Sequence, residues 1–164
     1  MRHDLVTKCI KYYADIAGAC SRLEPNGLSE DDRKRPDLEL FFDHIHQLVD
    51  VTIGHPTCRS YLNKAQEPLA TAELAASNKL NKYRTMGAQL QAEIVPFAIE
   101  SFGGFSRTAQ DFIDNLAHFA SNRSTLFQKD ELIRDFISSL SVAVQRGNAV
   151  AVINGWRMTA AVSA

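Results

Sequence analysis

A chain of 164 residues is long enough for one domain with a real core, one that buries roughly 68–70% of its extended-chain surface. Apolar residues make up 45% and charged residues 23%, ordinary for a soluble globular protein, and a formal net charge of −1 excludes a global basic field. Any nucleic-acid contact must therefore come from a local patch. Cys9, Cys20 and Cys58 form no CxxC pair and are odd in number, which argues against a zinc ribbon or a disulfide framework and for a reducing, intracellular compartment. No apolar run approaches the length of a membrane span, and the opening residues Met1-Arg2-His3-Asp4-Leu5 lack the apolar stretch of a signal peptide.

Residues 4–19 have the spacing of an amphipathic helix, with Leu5, Cys9, Tyr12/Tyr13, Ile16 and Cys20 on one side. Residues 20–24 read as a short strand that ends at the turn signal Pro25-Asn26-Gly27. Residues 29–35 form a charged loop, either simply solvated or placing Arg33, Lys34 and Arg35 where a phosphate backbone approaches. From Asp37, Leu38, Leu40 and Phe42 alternate with Glu39 and Phe41, as in a half-buried strand. The β-branched run 48–53 reads as a more central strand. Residues 43–47 are short enough for a hairpin, so the two strands should be antiparallel neighbours that bring Asp37 and Asp50 together. Converging carboxylates suit Mg²⁺, whose remaining positions take water, carbonyls and phosphate oxygens. The plainer reading is a strand-opening turn at Asp37 and a solvent-facing Asp50.

Gly54-His55-Pro56-Thr57 is a turn, followed by an exposed connection to about residue 66 and a helix over 67–90 opened by Glu67-Pro68. Its stripe is Leu69, Ala72/Ala76, Leu80, Tyr83 and Leu90, and Lys79 and Lys82 flank that buried face, either solvated or extended toward the sheet. Residues 94–99 form a buried strand that Pro96 places near an edge or delays in pairing. Glu100 is a surface acid at its end or a further contributor to the site, and Gly103-Gly104 imply a tight turn or a close backbone approach. Ser106 caps a helix carrying Phe112, Leu116 and Phe119, which Asn122-Arg123-Ser124 interrupts. A helix over 130–146 should stop at Gly147-Asn148, followed by an apolar helical segment, 149–162, with Trp156. The order of elements defines a small α/β domain. Weaker candidates are a transition-metal pair, His44 and His46 beside Asp43, which lacks a third ligand, and a nucleophilic Cys20 or Cys58, which needs a paired histidine.

Arg35-Pro36-Asp37, then twelve residues, then Asp50, with Lys79-x-x-Lys82-Tyr83 downstream, resembles the restriction-like endonuclease domain, of PD-(D/E)xK type, of non-LTR retrotransposon reverse transcriptase proteins. Arg2-His3-Asp4, 48–52, 96–104 and 141–148 are similar to recurrent segments of such sequences, so the resemblance runs along nearly the whole chain. It implies an α/β, restriction-endonuclease-like αβββαβ core with a mixed central sheet flanked by helices. Residues 1–164 would be one domain, with a core over about 4–120 and a C-terminal helical extension over about 121–164. It implies Asp37 and Asp50 as ligands of Mg²⁺ or Mn²⁺, catalytic Lys79 and Lys82, and Arg33, Lys34, Arg35, His55 and Tyr83 as candidate DNA contacts. The implied activity is hydrolysis of phosphodiester bonds in duplex DNA, as a nick that serves target-primed reverse transcription in a eukaryotic nucleus. The implied partners are duplex DNA and a reverse transcriptase of the same element, with no membrane. The alternative is an inactive relative acting as a nucleic-acid or protein interaction module. The sequence departs from the wider pattern at Thr52, where the superfamily keeps a lysine, and in the 28 residues between Asp50 and Lys79.

Overall fold

A computed structural model describes residues 2–28, 35–59, 61 and 67–162, with side chains through Trp156. Its elements are α1 (Arg2–Ile16), β1 (Cys20–Leu23), β2 (Leu38–Phe42), β3 (Ile45–Gly54), α2 (Ala70–Leu90), β4 (Glu93–Glu100), α3 (Arg107–Arg123) and α4 (Lys129–Val162). The four strands form one sheet in the order β1-β2-β3-β4. The first two pairings are antiparallel and the third is parallel. The parallel pair follows from the connection, because α2 carries the chain back across the sheet between β3 and β4. The helix, three strands, helix, strand order and the mixed sheet match the sequence reading. The hairpin is tighter than expected: only Asp43 and His44 separate β2 from β3, and Asp43 takes a positive φ of 45°, which Asp tolerates.

Period-two alternation divides the sheet between two helical layers. Leu38, Leu40, Phe42, Val49, Val51, Val95, Phe97 and Ile99 form the main core with residues of α1, α3 and α4. On the other face, Leu48 clusters with Tyr83 and Met86 of α2, and Ala98 clusters with Ala72, Ala75 and Ala76. α2 runs over β3 in step and in the opposite direction. Four helical residues advance about 6 Å and two strand residues about 6.6 Å, so Thr71 meets Gly54, Lys79 meets Asp50 and Tyr83 meets Leu48. Gly54 is required there, since a Cβ would stand 2.6 Å from Thr71 Cγ2.

Two boundaries and one buried stripe differ from the sequence reading, each for a tertiary reason. α2 begins at Ala70 rather than at Glu67-Pro68: Leu69 turns the chain at φ 65°, and Glu100 Oε1 accepts the free N–H of Ala72 at 3.4 Å. Glu100 is thus a helix-terminus partner. The α2 stripe is Thr71, Ala72, Ala75, Ala76, Tyr83, Met86 and Gly87, while Leu80 is exposed. Gly147-Asn148 does not end a helix, and α4 passes through it for 34 residues. A Cβ at Gly147 would fall on the Arg2 side chain and within 2.8 Å of its Cα. Asn148 accepts the Arg2 guanidinium at 2.6 Å and donates to the Ser101 carbonyl at 2.9 Å. Glycine and asparagine there serve a close crossing of α1 and α4. Because the helix is continuous, its Lys129–Trp156 stretch is long and apolar enough to cross a membrane by length and composition, which the sequence reading did not anticipate. Its inner residues Leu132, Phe136, Leu140 and Val144 are packed in the core.

Two other boundaries fall where the sequence put them. Ser106 caps α3 by accepting Ala109 N–H at 3.3 Å, and Pro96 lies in an edge strand that pairs from Glu93 onward.

Replacing a glycine inside a helix by alanine ordinarily stabilises it by up to about 1 kcal/mol. Gly147→Ala is expected to have the opposite sign, losing about 1–3 kcal/mol through overpacking against Arg2. Urea unfolding midpoints would check this, and a stabilised variant would contradict the close crossing.

Candidate metal centre

Asp37 stands just before β2, whose first pair with β3 is Leu38↔Val49. Its N–H donates to the Val49 carbonyl at 3.0 Å and its Oδ2 accepts the Val51 N–H at 2.7 Å. Both bonds go to the immediate neighbours of Asp50, so the two aspartates are brought side by side by backbone rather than by flexible side chains. Oδ2 is also 3.1 Å from His3 Nε2 on the first turn of α1. That contact raises the His3 pKa, burial opposing it, with the negative charge of Asp37 adding to the rise. His3 and Asp37 open with Thr7, Lys8 and Glu24 onto a cleft of about 410 Å³.

Asp50 is 3% exposed. Lys79 Nζ lies 2.6 Å from its Oδ2, an ion pair between side chains 4% and 28% exposed. Among the described residues no hydrogen-bond donor is aligned with that buried oxygen, so its compensation there is the ammonium charge. The step of α2 over β3 makes this contact. Lys79 sits one helical turn before Tyr83, which packs on Leu48, two residues before Asp50.

Lys82 is placed differently from Lys79. Its ammonium donates to Tyr83 Oη at 2.9 Å and lies 4.6 Å from the ring centroid. Tyr83 Oη in turn donates to the Arg35 carbonyl at 2.9 Å. Burial raises the Tyr83 pKa, reinforced by contact with Asp50 and the charges of Asp50 and Asp37, so the phenol stays protonated. The chain entering β2 is thereby tied to α2 beside the two carboxylates.

The remaining candidates fall elsewhere. The Arg35 guanidinium reaches Glu24 at 3.0 Å and Asn26 at 3.1 Å, while Arg33 and Lys34 lie outside the described residues. His55 sits past the end of β3, bonded to Ser101 Oγ at 2.6 Å and Thr57 Oγ1 at 2.8 Å, with its ring beside Phe102. His46 bonds Glu39 Oε1 at 3.0 Å and stacks on Phe41, and Glu39 also pairs with Arg22. His46 thus belongs to a buried-carboxylate network, while His44 is exposed in the turn between β2 and β3. None of the three cysteines is in a disulfide. His3 was missed as a site residue. Its partner lies 34 positions away, and no spacing rule links them.

No group of three or more His, Cys, Asp or Glu side chains capable of caging an ion occurs among the described residues. Two neighbouring carboxylates without a full cage suit Mg²⁺, which keeps waters and takes substrate oxygens in its shell, better than zinc. The donor set and the underused buried oxygen of Asp50 therefore fit a hard divalent cation.

The class defined so far is an α/β domain with a four-stranded mixed sheet flanked by helices, which gathers two aspartates and a lysine at one place. No family model matches the chain. It is similar to the 132 kDa protein of the retrotransposable element SLACS from Trypanosoma brucei gambiense, with 24% identity over 157 residues. The match covers 90% of this chain but 13% of that protein, so the chain spans about an eighth of its relative. The similarity points to a retrotransposon-related origin.

His3 gives a pH test of this geometry. Its folded pKa is raised above the ordinary value of 6.5, so its contribution to stability is fully present below 6.5 and is lost as pH rises through the raised value. His3→Gln should destabilise the metal-free protein more at about pH 5.5 than at about pH 8.5, as read by urea unfolding. Equal losses at both pH values would contradict the pairing with Asp37.

Proposed function

We propose that this domain is a metal-dependent DNA endonuclease of the PD-(D/E)xK type, which nicks duplex target DNA for a retrotransposon's reverse transcriptase. The observation that carries this reading is the delivery of Lys79 to Asp50, with Asp37 fastened to the backbone on both sides of Asp50. Two acids with a lysine brought from a helix support the reading that the resemblance suggests. The similarity to a retrotransposon protein supports the biological setting.

Asp37 and Asp50 would hold Mg²⁺ or Mn²⁺. When bound, the ion neutralises a phosphate's negative charge and lowers the pKa of water. His3 and the Val51 N–H orient the Asp37 carboxylate. Lys79 balances the buried charge of Asp50 in the free protein and lies within reach of negative charge developing on a phosphate there. Tyr83 and Lys82 fix the chain that enters β2 and so hold Asp37 in place. Duplex DNA would approach across the cleft beside Asp37, where His3 and Lys8 stand among the carboxylates of Asp4, Glu24 and Asp37, so a bound divalent cation would have to offset the acidic lining.

Plasmid nicking with and without Mg²⁺ tests the proposal. Asp37→Asn and Asp50→Asn should each abolish Mg²⁺-dependent nicking. Lys79→Ala should lower the rate by about 10²–10³, the usual loss for one preorganised charge contact, and Lys82→Ala by less. Wild-type rates in either aspartate variant would remove that residue from the site. A wild-type protein that binds Mg²⁺ and DNA without nicking would make the domain a binding module instead.

A further inference from the structure

Three buried oxygens between α2 and β3 have no hydrogen-bond partner among the described residues: Asp50 Oδ2 and Thr52 Oγ1 on the strand and Thr71 Oγ1 at the start of the helix. Residues i and i+2 share a strand face, so Asp50 and Thr52 stand about 6.6–7 Å apart along β3. The first oxygen has the Lys79 ammonium at 2.6 Å. The second is a hydroxyl in a layer of small side chains: the β4 partner of Thr52 is Ala98, on which Ala72, Ala75 and Ala76 pack. A lone buried hydroxyl in such a layer is costly unless something uses it.

The direction of α2 supplies the user. Side chains on a helix tilt toward its N-terminus, and α2 starts at the Gly54 end of β3, where Thr71 meets Gly54. The Lys79 side chain ends at Asp50 Oδ2, and the direction of its tilt is toward the Thr52 end of β3, where the side chains of α2 facing the strand are alanines. A divalent cation bound to the Asp50 carboxylate at about 2.0–2.1 Å would stand close to an ammonium on the same group, and like charges would force them apart. An acceptor two residues along the same strand face would let the lysine yield without leaving the site.

We infer that Thr52 is that acceptor: when Asp50 takes up a divalent cation, Lys79 passes its ammonium from Asp50 Oδ2 to Thr52 Oγ1. This rests on the reading of Asp37 and Asp50 as metal ligands. Thr52 is then a positioning residue acting through Lys79, and the missing lysine of the wider pattern at position 52 is replaced by a resting place for a lysine from the helix.

Calorimetric titration of the whole chain with Mn²⁺, in the absence of DNA, tests the inference without relying on activity. Thr52→Val should weaken Mn²⁺ binding about tenfold, the worth of one hydrogen bond to a charged group, while Thr52→Ser keeps wild-type affinity. Lys79→Met should tighten binding, because the competing charge is gone. In the Lys79→Met background, Thr52→Val should then change affinity less than about twofold, as expected when two residues act as one unit. An equal loss in both backgrounds would overturn the inference and make Thr52 a partner of the ion's water shell. No loss in either background would overturn it as well. Asp50→Asn separates the two levels: if that variant binds Mn²⁺ as tightly as wild type, the metal-site reading itself fails, and the Thr52 inference falls with it.

Discussion

A carboxylate that is 3% exposed cannot sit under a helix without a counter-charge, and the Asp50–Lys79 pair is the constraint around which this molecule is arranged. The pair needs α2 to cross β3 in register, and the surrounding packing holds it so. Gly54 allows Thr71 to close down at one end, alanines form a thin layer in the middle, and Tyr83 and Met86 grip Leu48 at the other end. A buried ion pair is weak evidence for stability, since apolar residues of the same volume often do as well. The pair stands where Asp37 is bonded to both of Asp50's neighbours, so one place in the sheet holds two acids and a lysine.

α1 extends the same logic across the molecule. Consecutive residues on a helix point about 100° apart, and the first turn uses that: Arg2 reaches Asn148 on α4 while His3 reaches Asp37. Asn148 continues the link to Ser101, whose hydroxyl holds His55. The first helix is therefore fastened to both the carboxylate site and the loops beyond the ends of β3 and β4.

Much of this was legible in the chain. Strand alternation gave β2 and β3, a short connector gave their antiparallel pairing, and Pro96 marked an edge. Lys79 was legible as a flank of the Tyr83 stripe, because one helical turn separates them. What escaped was whatever depended on a distant partner. Leu80 looked like stripe but falls outside the wedge that α2 buries. Gly147-Asn148 has the local form of a helix stop, yet its role is set by Arg2, 145 positions away. His3 could be named only with the strand in view, and Lys82, which the sequence placed farther from the stripe than Lys79, turned out to serve Tyr83.

The alanine layer between α2 and the sheet acts as a gauge. Ala72, Ala75, Ala76 and Ala98 set how far the helix axis stands above β3, and a lysine stem has a fixed reach. The thickness of that layer therefore determines where a charge from the helix can arrive. In a sheet that takes its lysine from the strand itself, the covering helix could drift outward as side chains beneath it grow, with no effect on the acids. Here the same drift would withdraw Lys79 from Asp50, so uncharged alanine side chains carry a constraint on size that comes from the ion pair beside them.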